Sequence, residues 1–276
     1  MNRPKAQSLL LKGAVYISAA LTVGILLLIV GYILIKGLPS LNSGLFSVQY
    51  TSENASLFPA LINTFTMTII TLLLAVPLGI GAAVYLAEYA PRKNKVVNVI
   101  RMTAETLSGI PSIVYGLFGY LLFVVTLGWG YSLPAGACTL AIMVLPVIMR
   151  TSEEALLAVP DFYREGSFGL GAGRLRTVFK IVLPAALPGI LSGIILSVGR
   201  IVGETAALIY TAGTVAKIAT GFNDSGRTLS VHMYMLWSEG LATEQSFATA
   251  VVLLVFAVCI NVLSSFIAKK VGEKHG

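Results

Sequence analysis

Long apolar segments separated by short polar stretches run through the whole chain. Ala14–Ile35 and Leu57–Ala87 contain no charged residue, and Pro77 predicts a kink or break in the second segment. Thr106–Met149 is free of charge over 44 residues. A helix needs about 20 apolar residues to cross a hydrocarbon core of about 30 Å, so this stretch is long enough for two spans. Gly128-Trp129-Gly130 predicts the turn between them.

Two further apolar segments complete the pattern. Pro184–Tyr210 carries charge only at Arg200 and Glu204, and Gln245–Ala268 is free of charge until its end. The chain is therefore predicted to be an all-α, polytopic membrane protein with about six transmembrane helices. We expect a single transmembrane domain over residues 1–276, since no repeat or flexible linker divides it.

Composition and charge agree with a membrane protein and give it an orientation. Hydrophobic residues make up 56% of the chain and charged residues 11%, against about 25% charged residues in a soluble domain. Placing the N-terminus in the cytoplasm puts 15 of the 19 Lys and Arg residues on that side. The positive-inside rule then predicts that both termini are cytoplasmic. Anionic lipid beside these flanks explains the net charge of +7 without nucleic acid.

The residues that usually hold metals or cofactors are sparse. Cys138 and Cys259 lie within predicted spans, and His232 and His275 are isolated, so neither a disulfide nor a metal site is expected. The chain also lacks the Gly-x-x-x-x-Gly-Lys-Ser/Thr phosphate loop that binds ATP. We therefore expect no bound cofactor.

The longest basic loop, residues 151–183, is predicted to contain a short helix. Pro160-Asp161 starts the helix, and Phe162–Leu170 forms it. Gly171 follows where a left-handed residue commonly ends a helix. Such a helix either rests on lipid headgroups through an apolar face or enters a groove on a partner and passes movement to the spans.

A motif in this loop favours the partner. Glu165-Gly166-Ser167, then Gly171, then Ile181-Val182-Leu183-Pro184 resembles the docking-loop signature of bacterial ABC importer permeases, with Gly166 and Ser167 in place of two alanines. The resemblance implies that residues 151–183, here called the docking loop, contact a cytoplasmic ATPase. The residues implicated are Phe162, Glu165, Gly166, Gly171, Ile181, Leu183 and Pro184.

Arg200 is costly inside a membrane and needs an anion nearby. Arginine at the bilayer centre costs about 2.5–3.5 kcal/mol on insertion scales. Glu204 follows four residues later, on the same face of a continuous helix. The pair is either a salt bridge that holds helices together or part of a route for an anionic substrate. An oxyanion suits the second role, because guanidinium binds phosphate through a bidentate fork.

A second resemblance narrows the substrate. Gly199–Thr205 is similar to the Gly-Arg-x-x-Gly-Glu-Thr motif of phosphate ABC importer permeases, and Ser108–Gly119 and Leu229–His232 also fit that family. The short N-terminus and the Gly-Glu-Thr-Ala variant resemble its PstA type. The resemblance implies a type I ABC importer permease fold with core helices over residues 57–268. It also implies a phosphate pathway through Arg200, Glu204 and Thr205.

The same resemblance implies partners and a location. These are a homologous permease of the PstC type, an ATPase dimer of the PstB type that binds ATP, a phosphate-binding protein of the PstS type and the lipid of the bacterial cytoplasmic membrane. ATPase closure would move the predicted helix of the docking loop, Phe162–Leu170, and drive alternating access. The alternatives are a permease for sulfate or molybdate, which would differ at Arg200–Thr205, and a secondary transporter or channel, which would need no ATPase.

Overall fold

The computed structural model describes residues 3–91, 95–240 and 242–273. In these ranges the chain is helical and has no β-strand, as predicted. Arg92, Lys93 and Lys274, which contributed to the orientation prediction, and His275 lie outside the described residues. The α-helices are α1 (Arg3–Gly37), α2 (Phe58–Val84), α3 (Lys95–Ser108), α4 (Ser112–Gly119), α5 (Leu133–Leu157), α6 (Asp161–Gly169), α7 (Arg174–Thr177), α8 (Leu183–Gly203), α9 (Ala206–Thr211), α10 (Leu229–Glu239) and α11 (Thr243–Glu273). Three π-helical segments, Tyr85–Tyr89, Tyr120–Thr126 and Val178–Val182, follow α2, α4 and α7.

The number of spans agrees with the prediction. Among the described residues, five helices are long and apolar enough to cross a membrane, and a sixth span arises if Lys95–Ser108 and Ser112–Thr126 count as one. These two segments meet at an angle of 101°. Pro111 stands at the bend with extended backbone and precedes the first turn of α4. Proline disfavours helical geometry in the residue before it, which accounts for the break.

A break at Pro77 does not occur, and a break that was not predicted occurs after Gly203. The helix α2 runs unbroken through Pro77, because transmembrane helices accommodate proline when their surroundings satisfy the freed backbone groups. The predicted span Pro184–Tyr210 instead ends at Gly203, Glu204 is extended, and the chain becomes helical again in α9. The helices α3 and α10 were not predicted.

The core lies between α2 and α5, which run in the same direction. Met67 and Ala75 of α2 and Leu140 and Ile148 of α5 are buried in one apolar cluster. In contrast, no part of the most apolar stretch of α1 is buried inside the bundle. It meets α11 near its end, where the rings of Tyr32 and Phe247 lie 5.7 Å apart.

Gly119, at the end of α4, allows a close approach to α5 and α9. A Cβ atom at this position would lie 2.8 Å from Thr139 Cγ2 and 2.9 Å from Thr211 Cγ2. We expect Gly119→Val to reduce the free energy of unfolding by about 1–3 kcal/mol, the usual cost of overpacking, and to lower the melting temperature of the detergent-solubilised protein. The matched control is Gly81→Val, since a Cβ at Gly81 has no neighbour within 4 Å. Equal melting temperatures for the two variants would contradict this packing.

Candidate functional site

The predicted helix of the docking loop is present as α6, Asp161–Gly169. Its end is closed by two backbone hydrogen bonds, from Gly171 N to Phe168 O at 2.9 Å and from Ala172 N to Ser167 O at 3.1 Å. This is the Schellman arrangement, which requires a left-handed residue after the helix. Gly171 has φ +82°, so the predicted conformation of this glycine is confirmed.

One face of α6 is exposed and apolar. Phe162 is 63% exposed, and its ring stacks on that of Tyr163 at 4.2 Å. Leu170, which follows the helix, is 92% exposed. Glu165, Gly166 and Gly171 are also exposed. Four of the seven predicted docking residues therefore lie at the tip of the loop, within reach of a partner.

The remaining three lie where the loop returns to the bundle. Ile181, in the π-helical segment, and Leu183 and Pro184, in the first turn of α8, are half-buried. Leu183 packs against the apolar cluster at this end of the bundle. These residues fix the direction in which the loop enters α8, while the exposed tip of the loop stays free for contact.

The small residue at Ser167 has a structural reason. Ser167 is buried, and its Oγ lies 2.8 Å from Thr177 Oγ1 of α7. A larger side chain would separate α6 from α7. The substitution of alanine by serine in the motif therefore adds a hydrogen bond and keeps the close packing.

Arg200 lies in the last turn of α8 and lines a cavity of about 680 Å³. The other lining residues belong to α5, α8 and α11 and are Val147, Ser192, Ile195, Leu196, Gly199 and Asn261. In the described part of the chain, the Arg200 guanidinium forms neither a hydrogen bond nor an ion pair. The C-terminal end of a helix favours a positive charge, which reduces the cost of placing Arg200 there. Its donors are therefore available to a ligand in this cavity.

The predicted pairing of Arg200 with Glu204 is wrong. Because α8 ends at Gly203, Glu204 leaves the helical register, and its Oε1 accepts a hydrogen bond from Ala207 N at 3.1 Å. Glu204 thereby caps α9, and its backbone carbonyl accepts from Ser230 Oγ. Its side chain is buried.

Thr205 faces a different space from Arg200. It lines an apolar cavity of about 630 Å³ with residues of α1, α4, α9, α10 and α11. The structure therefore separates the three predicted pathway residues: Arg200 is on a cavity, Glu204 supports the backbone, and Thr205 is on a second cavity.

Comparison with known proteins identifies the family to which this chain belongs. The family described as "Binding-protein-dependent transport system inner membrane component" matches residues 75–273, a range that contains the docking loop and Arg200. The chain belongs to this family. It is an ABC importer permease subunit, a transport component of the inner membrane. Its family implies ATPase and binding-protein partners.

The permease has relatives along its full length. It is 36% identical to "Probable ABC transporter permease protein YqgI" of Bacillus subtilis, over 98% of this chain and 99% of that protein. It is 32% identical to "Phosphate transport system permease protein PstA" of Haemophilus influenzae, over 94% of this chain and 93% of that protein. With PstA 1 of Mycobacterium tuberculosis it shares 44% identity over 56% of this chain and 51% of that protein.

Solved structures confirm the type I importer permease fold. A chain of a bacterial ABC transporter involved in alginate import matches with a TM-score of 0.69 at 15% identity, over 97% of this chain and 99% of that one. A chain of the MetNI methionine ABC transporter matches with a TM-score of 0.62 at 23% identity, over 76% of this chain and 93% of that one.

The sequence did not point to the ion pairs at the docking end of the permease. Arg164 of α6 pairs with Glu88 after α2, with Nη2 2.7 Å from Oε1. Arg101 of α3 pairs with Glu153 of α5 at 2.6 Å, and the Glu153 side chain is 7% exposed. From the sequence, these arginines were interpreted only as positive charges that flank spans. The sequence feature that could have indicated these pairs is the position of Glu88 and Glu153, since each acid follows a long apolar segment.

A buried basic cluster at the other end of the bundle was also missed. Arg227 is 4% exposed, and its guanidinium lies over the Tyr50 ring at 4.7 Å. His232 is fully buried, and its Nε2 lies 3.2 Å from Ala55 O. Burial, with a smaller contribution from the Arg227 charge, lowers the pKa of His232 from 6.5 to about 3. His232 lies outside the candidate spans.

This pKa predicts that the permease loses stability in acid. The folded protein keeps His232 neutral while the unfolded chain takes up a proton below pH 6.5, so stability falls as the pH falls through this value. The loss is about 1.4 kcal/mol per pH unit, or about 2 kcal/mol at pH 5. The melting temperature in detergent should decrease between pH 7 and pH 5, and less steeply in His232→Gln. Equal slopes would contradict a neutral, buried His232, since both proteins retain His275.

Proposed function

We propose that this permease imports inorganic phosphate and is of the PstA type. The observation that carries the proposal is Arg200, a guanidinium with free donors on a cavity of about 680 Å³ within a membrane bundle. Guanidinium presents paired donors that match two oxygens of a tetrahedral oxyanion. Support for phosphate also comes from relatives named as phosphate permeases at 32–44% identity.

The cavity chemistry limits the class of substrate. Ser192 and Asn261 supply neutral polar groups beside Arg200, and the other lining residues are apolar or glycine. Among the described residues that line the cavity, none is acidic, so the cavity has a positive potential that favours an anion. A site with one cation and few polar groups suits a small anion that must also be released.

The partners follow from the same proposal. A PstC-type permease would close the open side of the Arg200 cavity, and a PstB-type ATPase dimer would bind ATP and contact the exposed face of α6. A PstS-type protein would deliver phosphate. We propose an orientation with α6 and both termini in the cytoplasm, which agrees with the basic flanks of the spans.

The proposed mechanism is alternating access. ATP-driven closure of the ATPase would displace α6, and the connected helices would turn as rigid bodies. The Arg200 cavity would then change the side to which it opens. The extended residue Glu204 interrupts the helix between α8 and α9, so the chain can change direction next to Arg200.

Uptake measurements in bacterial cells test the substrate. Cells in which the gene for this permease is deleted and then restored should lose and regain import of labelled phosphate. A large excess of unlabelled phosphate should suppress the restored import, while sulfate and molybdate should not. Suppression by sulfate or molybdate would assign the permease to another oxyanion. Restored uptake that persists without its ATPase partner would point to a secondary transporter or channel.

A further inference from the structure

Arg164 of α6, the docking helix, and Glu88 form a buried ion pair in which two guanidinium nitrogens contact the carboxylate. Arg164 Nη2 lies 2.7 Å from Glu88 Oε1, and Nε lies 3.1 Å from Oε1 and 3.3 Å from Oε2. The two side chains are 14% and 8% exposed. Glu88 belongs to the π-helical segment that continues α2, so the pair joins α6 directly to the end of a membrane span.

The same guanidinium also holds the end of α5. Arg164 Nη2 donates to Leu156 O at 2.8 Å, and Nη1 donates to Val159 O at 2.6 Å. The last carbonyls of a helix have no partner within the helix, and Arg164 supplies one. A single side chain thus connects the docking helix with α2 and α5, the two helices that form the core of the bundle.

Both side chains of this pair are largely buried, whereas in the nearby Arg101–Glu153 pair the arginine is 36% exposed. Arg150 contacts Glu105 and Glu154, but these side chains are 50%, 66% and 64% exposed. Exposed pairs contribute little because water and salt screen them. Removing one partner of a buried pair leaves an uncompensated charge, which strongly disfavours the original packing. The Arg164–Glu88 contact is therefore the one expected to resist separation when α6 moves.

The docking helix α6 also has other connections to its neighbours. Only Ala158, Val159 and Pro160 separate α5 from α6, and the Ser167–Thr177 hydrogen bond ties α6 to the short helix α7. Glu88 lies in a π-helical turn, a feature often found at functional sites. The Arg164–Glu88 pair gives movement of α6 a direct route to α2, beside the contact of Arg174 with the Tyr89 ring at 5.2 Å.

We propose that Arg164 and Glu88 couple the docking helix to α2 and α5, so that movement of α6 becomes movement of the spans. This inference rests on the proposed function, in which an ATPase drives α6. Arg164 is a positioning residue, since its described partners are Glu88, Asp161 and two backbone carbonyls. Breaking the pair should separate ATP hydrolysis from transport while the exposed face of α6 still binds the ATPase.

Glu88→Gln tests the coupling, because it preserves the size of the side chain and removes its charge. In proteoliposomes that contain the complete transporter, the ATP hydrolysed per phosphate imported should rise by about tenfold or more, as the loss of a buried charge partner implies. The ATPase should still co-purify at the wild-type level. A merely structural role would lower expression and leave this ratio unchanged.

Glu105→Gln is the matched control. It removes an exposed acid that pairs with Arg150 in the same region of the permease, and its ratio of ATP to phosphate should remain that of the wild type. Should Glu88→Gln fail to insert, Arg164→Lys takes its place. Lysine retains the positive charge beside Glu88 but lacks the fork that reaches both Glu88 and α5.

A second measurement needs neither phosphate nor the ATPase. In the full-length chain in detergent, trypsin should cleave after Arg174 faster in Glu88→Gln than in the wild type or in Glu105→Gln, because α6 and the loop beyond it are released. If the wild type imports no phosphate but this difference in cleavage remains, the proposed function fails and the contact stands. If Glu88→Gln, or Arg164→Lys in its place, hydrolyses the wild-type amount of ATP per phosphate, the coupling role is overturned.

Discussion

Replacing Arg200 with glutamine should abolish most phosphate uptake while the permease inserts at least as well as the wild type. Insertion should not suffer, since glutamine lacks the charge that is costly in a bilayer. Each hydrogen bond between a charged group and its ligand contributes about 1.5–3 kcal/mol, so uptake at low phosphate concentration should fall about 10- to 100-fold. The measurement is the initial rate of labelled-phosphate import, normalised to the amount of permease in the membrane.

Arg200→Lys separates charge from geometry. Lysine keeps the positive charge and lacks the planar pair of donors. Substantial uptake in this variant would indicate a site that needs only positive potential, while a loss as large as that in Arg200→Gln would indicate bidentate binding. Lys217→Gln is the control, because it removes a charge that is 57% exposed and paired with Asp224. Wild-type import by Arg200→Gln would place the anion route elsewhere and leave Arg200 as a packing residue.

Gly171→Val should uncouple transport by distorting the end of the docking helix. The backbone at Gly171 has φ +82°, and holding a residue other than glycine in such a conformation costs about 1–3 kcal/mol. Valine is among the least tolerant residues because it is β-branched. The Schellman hydrogen bonds should open, ATPase co-purification should weaken, and uptake should fall about tenfold.

Glu165→Lys tests the same surface without altering the backbone. Glu165 is exposed on α6, so a change of sign there should affect a partner and leave the fold unchanged. Gly173→Ala is a useful control, because Gly173 lies in the same loop, and a Cβ there has no neighbour within 4 Å. Normal co-purification and normal uptake in both Gly171→Val and Glu165→Lys would rule out α6 as the ATPase contact.

The parts of this structure that follow from local rules were predictable from the sequence. The position of α6 follows from Pro160 and Asp161 at its start and from Gly171 at its end, and apolar runs of sufficient length locate the spans. The 101° angle at Pro111 could not be predicted, because hydropathy measures how apolar a segment is and says nothing about its direction. Similarly, Pro77 seemed to interrupt α2 only because local rules omit the neighbouring helices that support it.

The contacts within the candidate sites could not be predicted from local sequence rules. The pairing of Arg200 with Glu204 assumed an unbroken helix, and a single extended residue at Glu204 reversed the conclusion. The Arg164–Glu88 contact joins residues that are 76 positions apart, so spacing along the chain cannot predict it. Arg227 lies in a polar stretch of the sequence, yet it is buried beside Tyr50 and His232. Each of these errors concerns which side chains meet after packing.

The contrast between α1 and α5 has a consequence for biosynthesis. The most apolar window of α1 has a mean hydropathy of 2.5 with none of it buried, while that of α5 has a mean hydropathy of 1.8 with 67% buried. A helix must first be stable in lipid and then pack against others. The apolar helix α1 is stable in lipid without a packing partner, whereas α5 is less apolar and depends on neighbours. Its core partner α2 precedes it in the chain, but α8 is made later. At about 5–20 residues per second, α5 therefore spends seconds in the bilayer before α8 can complete its packing.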